Sequence, residues 1–170
     1  MNREEFIQYF ITEHYEPSKY KANTYCSKSW SSIYLTLNSC DYGFPKLLTQ
    51  LNNEFQFNGV LSNIIQKYAP QSYALNDSLK GGHSITQEQL NIVANEAYII
   101  YTAVQHWFNN LPDEHKNFIQ IVERIRQKNN DINSNNKHQP YITDKSTVID
   151  AIQEYIDTYH TKPPTITFNV

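Results

Sequence analysis

Hydrophobic positions recur at the helical period along most of this chain. The longest run is 87–110. Leu90, Val93, Ala94, Ala97, Ile100, Tyr101, Val104, Trp107 and Phe108 mark one face of it, and Asn91, Asn95, Thr102, Gln105 and Asn109 fall largely opposite. Ile92, Ile99 and Ala103 widen the apolar side. Thr86 suits the N-cap, because its side-chain oxygen can accept a first-turn N–H. Gln89 stands where a capping box needs it, and Ile85 and Leu90 are spaced for a hydrophobic staple. Asn110, Leu111 and Pro112 end the run, since proline lacks an N–H and disfavours helix before it. At 1.5 Å per residue such a helix is about 36 Å long, so the expectation is a helix through the middle of the fold.

Shorter periodic segments surround it. Asn2 and Glu5 form a second capping box before Phe6, Ile7, Phe10 and Ile11, and that helix ends before Pro17. Residues 18 to 29 are polar and read as irregular. Residues 30–38 fit either a helix (Trp30, Ile33, Tyr34, Leu37) or a strand (Ile33, Leu35, Leu37), and helix is preferred for want of a strand partner. Pro45 opens a helix with Leu47, Leu48, Leu51 and Phe55. Val60 to Tyr68 give another, stopped by Pro70, and 71–83 read as a loop. After Pro112, Phe118, Ile121, Val122 and Ile125 form a stripe that ends near Lys128. Residues 129–140 are Asn-rich and read as a mobile polar linker. A last helix starts near Thr143 or Asp144 and is expected to bury Val148, Ile149, Ile152 and Ile156. Pro163 and Pro164 then force 161–170 into an extended tail. The predicted fold is therefore all-α: a single-domain bundle of about six or seven helices around 87–110.

Composition adds exclusions. Four Gly are too few for phosphate-cradling loops or a turn-rich β-sandwich, and 13 Tyr among 170 residues give the core polar edges. No run approaches a membrane span and no apolar leader opens the chain, so a cytoplasmic location is expected. A net charge of -3 argues against a dedicated nucleic-acid binder. Cys26 and Cys40 read as ordinary packed thiols.

Candidate chemistry is sparse. The histidines make no His-x-x-x-His pair and the cysteines no Cys-x-x-Cys, so no metal and no cofactor are expected. Lys80-Gly81-Gly82-His83 lacks the spacing of a phosphate loop. No catalytic residue is assigned. An enzyme would have to assemble its site from distant groups such as Cys26 or His106. Two surfaces stand out. Asp150, Glu154 and Asp157 share a face of the last helix and could meet a basic protein partner. Arg124, Arg126, Lys128 and Lys137 could instead contact phosphates, which would make the chain a nucleic-acid-associated helical protein. The preferred expectation is a protein-binding module without chemistry of its own. Its most specific form is an immunity or inhibitor protein that binds a bacterial toxin, such as a basic nuclease.

Overall fold

The computed structural model describes residues 1–28, 65–78, 84–136 and 138–166, without the side chains of 76–78 and 144. The expected helices over 30–38 and from Pro45 to Phe55 lie outside these residues, as do Cys40, Lys80, Lys137 and the end of the tail. The described chain is mostly helical with a small sheet. The elements are α1 (Arg3–His14), β1 (Tyr15–Pro17), β2 (Thr24–Ser27), α2 (Pro70–Ser78), β3 (Ile85–Thr86), α3 (Gln87–Asn109), α4 (Asp113–Asn135) and α5 (Asp144–Tyr159). Contacts divide the chain into two compact units, 1–45 with 61–105 and 46–60 with 106–170. The last residues of α3 belong to the second.

In the first unit, local capping does what the sequence says. The Asn2 side chain accepts from Glu5 N at 2.9 Å, and Glu5 Oε2 accepts from Asn2 N at 3.1 Å. Thr86 and Gln89 make the same exchange at 2.9 and 3.1 Å to start α3. Phe6 and Phe10 of α1 are buried. The Phe6 ring stacks on Tyr101 of α3 at 4.8 Å between centroids and tilts against Tyr98 at 5.7 Å. Leu90, Val93, Ala94, Ala97, Ile100 and Val104 give α3 a fully buried face, whereas Ile99 is 46% exposed.

Two expectations fail in this unit. The polar stretch 18–29 holds β2, the middle strand of an antiparallel sheet ordered β1-β2-β3. Tyr15 faces Ser27, Pro17 faces Tyr25, and Tyr25 faces Ile85. Asn23, with φ 60, makes the left-handed turn into β2, a conformation Asn tolerates better than most residues. The strands are too short for alternation to show. The second failure is Pro70. Residues 65–68 are helical, but Pro70 then opens α2 into a stretch, 71–83, whose residue types predict a loop.

The cause is Glu96. Ala69 occupies the cap position of α2: its carbonyl accepts from Tyr73 N at 2.9 Å, but its side chain has no oxygen to cap with. The Glu96 carboxylate, on α3 and 5% exposed, takes that role. It accepts from Ser72 N at 2.7 Å, Ser72 Oγ at 2.6 Å and Gln71 N at 3.2 Å. These backbone donors are the ones an N-cap side chain would satisfy, and the positive end of the helix dipole suits a carboxylate.

The second unit is dominated by α4 packed on α5. Phe118, Ile119 and Val122 are buried, as are Val148, Ala151 and Tyr155, and Phe118 meets Tyr155 edge-on at 5.6 Å. Lys116 donates from Nζ to the Asn109 carbonyl at 2.9 Å, placing a cation at the C-terminus of α3. The linker expected over 129–140 is corrected: α4 runs on to Asn135. Asn129 is buried and donates to Thr147 Oγ1 at 2.8 Å. Asn133, one turn on, grips Ile142 by both its carbonyl, at 3.0 Å, and its N–H, at 2.8 Å. These tertiary bonds outweigh the weak helix preference of asparagine.

Glu96→Ala should strand two backbone donors and the Ser72 hydroxyl. A loss of about 3 kcal/mol is expected in urea unfolding, with hydrogen exchange in α2 accelerating first. Glu96→Gln, which keeps one acceptor oxygen, should lose less.

Candidate partner-binding face on the last helix

Thr143 caps α5, its side chain accepting from Ser146 N at 3.1 Å. From there the helix buries a different face from the one its isoleucines suggest. Thr147, Val148, Ala151 and Tyr155 face inward, while Ile149 is 53% exposed and Ile152 and Ile156 are half-buried. The correction has a physical source. Tyr155 brings a large ring that packs on Phe118, and Ala151 lets α4 approach closely, so these side chains fill the seam. The isoleucines are left as a row along its edge.

The acidic residues follow on round the helix. Asp150 and Asp157 are exposed, and Asp157 accepts from Gln153 Nε2 at 2.8 Å. Glu154 differs. It forms an ion pair with Arg124 of α4 and lies toward the packed side. The acidic face therefore divides into one ion-paired residue, Glu154, and two exposed ones, Asp150 and Asp157, about 10 Å apart along the axis. The pair itself is solvent-accessible at both ends, so it adds little to stability.

The described members of the proposed basic surface, Arg124, Arg126 and Lys128, do not share one face of α4. Arg124 is held by Glu154. Arg126 is held by Glu123, donating from Nε at 3.0 Å and from a terminal nitrogen at 2.6 Å. Arg124 and Arg126 are two residues apart on a helix, so they project to nearly opposite sides. Lys128 is exposed on the Arg124 side.

Of the residues considered for catalysis, Cys26 belongs to the first unit and His106 to the second. Cys26 is a half-exposed free thiol in β2. His106 is exposed and takes its ring contact from the Asn110 amide at 3.3 Å. Among the described residues, no three of His, Cys, Asp and Glu gather where they could hold a metal. Also among them, no helix is long and apolar enough to cross a membrane. In the first unit, α2 and α3 enclose two adjoining hollows of about 390 and about 410 Å³, sharing Gln71, Glu88 and Ile92. Both are open, and the Glu96 carboxylate beside them is spent on capping α2. Glu96 itself was legible in principle: an acid in the middle of an apolar stripe must be bonded to something.

Compared with protein-family models, with curated proteins and with solved structures, the chain matches none.

One ionisable group beneath this face is perturbed. Burial raises the Tyr155 phenol above its ordinary value of 10.0, and the Glu114 carboxylate and Tyr159 push the same way. The neutral form is thus favoured by folding. Its contribution is complete below about pH 10 and is lost as pH rises through the higher folded value. Urea unfolding measured between about pH 9 and 11 should show stability falling more steeply in the parent chain than in Tyr155→Phe.

Proposed function

We propose that this chain is a non-enzymatic protein-binding module, acting as a cytoplasmic immunity or inhibitor protein that neutralises a bacterial toxin by direct binding. The observation that carries the reading is the outer face of α5. A row of incompletely buried isoleucines, led by Ile149, runs beside the open carboxylates of Asp150 and Asp157. Apolar contact area bordered by charge is the anatomy of a protein interface. The acidic border suits a basic partner such as a nuclease domain, for which charge complementarity speeds encounter and fixes register.

An inhibitor of this kind needs shape and charge rather than a reacting group. The nucleic-acid alternative draws less support, because Arg124 and Arg126 are each engaged by a glutamate.

Retrieval with the tagged chain from its native host at low salt should yield one stoichiometric protein, a toxin domain, identified by mass spectrometry. Asp150→Lys combined with Asp157→Lys should weaken that complex by about 1–3 kcal/mol, chiefly through slower association, while the circular dichroism spectrum stays unchanged. Unaltered affinity in that variant would remove α5 as the partner face. Recovery of nucleic acid in place of a protein would end the inhibitor reading.

A further inference from the structure

The face on α5 has a handedness that restricts what can cover it. Successive residues of a helix are about 100° apart. Viewed down the axis, Ile149, Ile152 and Ile156 occupy a narrow sector. Val148, Ala151 and Tyr155 lie on one side of that sector, buried, and Asp150 and Asp157 lie on the other, exposed. The row thus has one flank closed by the protein's own core and one flank acidic. Among the described residues Asp150 and Asp157 have no cationic partner, Arg124 being taken by Glu154.

An antiparallel second copy of the chain fits poorly. Two α5 helices packed antiparallel about a two-fold axis set like flank against like flank. A pairing centred near Gln153 brings Asp150 opposite Asp157 of the second copy, and symmetry repeats the repulsion. The spacing of the isoleucines, at i, i+3 and i+7, is that of a ridge that receives another helix.

We infer that the outer row of α5 docks a single amphipathic helix of a partner protein, one whose apolar seam is flanked on one side by lysine or arginine. The seam covers Ile149, Ile152 and Ile156, and the basic flank meets Asp150 and Asp157. This rests on the proposed function and specifies the partner's recognition element. A helix of 16 residues offers a contact about 24 Å long, so the element alone binds weakly and the rest of the partner supplies further affinity.

The probe is a stapled helical peptide with a leucine seam flanked by lysines, compared with the same peptide carrying glutamates at those positions. Both are titrated into the full-length, ¹⁵N-labelled chain and followed by amide chemical shifts. The lysine peptide should bind saturably and move resonances of α5. Binding should fall at least ten-fold for the glutamate peptide and for the Ile149→Asp chain. Asp150→Lys with Asp157→Lys should reverse the preference between the peptides. Equal binding of both peptides, shifts confined to other elements, or no saturable binding would overturn the proposal. The two readings fail separately. Docking of the lysine peptide on α5 without any toxin retrieved from the host would end the inhibitor reading alone. A toxin retrieved by the chain, with the two peptides indistinguishable, would end helix docking alone.

Discussion

A carboxylate in the middle of an apolar stripe costs several kcal/mol unless it is bonded, and the first unit is arranged to bond it. Glu96 sits among Val93, Ala97 and Ile100 of α3, and its oxygens are met by the first turn of α2. The dependence runs both ways. α2 begins at a proline behind an alanine, so it has no cap of its own, and α3 carries an acid that its neighbours cannot solvate. Each helix answers the other's deficit. One of the hollows between the two helices is bounded by Ala74 and Leu75 of α2 and Ile92 of α3.

What the sequence made legible was local. Asn2 with Glu5 and Thr86 with Gln89 are partners within one turn, each pair forms, and Thr143 stands as the cap at the expected start of the last helix. What it hid was set from a distance. The cap of α2 comes from a residue 24 positions away. The asparagines at the end of α4 look like a solvated linker until Ile142 and Thr147 are placed against them. The sheet is built from strands of three, four and two residues, below the length at which alternation is informative.

The last helix shows a third kind of limit. Its period was clear, but its orientation was not, because counting isoleucines ignores that Ala151 permits close approach and Tyr155 brings the larger ring. The acidic row could be drawn from spacing alone. That Glu154 belongs to Arg124, leaving Asp150 and Asp157 apart from it, depends on a pairing across 30 residues. The rotation exposes Ile149 and leaves Ile152 and Ile156 half-buried at the edge of the seam, next to the carboxylates of Asp150 and Asp157.

The asparagine clasp between α4 and α5 also bears on the order in which the chain becomes structured. Asn129, Asn133, Ile142 and Thr147 lie close together in sequence, so only a short loop must close before their bonds repay its entropy. The sheet of the first unit must instead bring Thr24 to Thr86. The α4–α5 hairpin can therefore assemble before β3 joins the sheet, and the outer row of α5 need not wait for that long-range pairing.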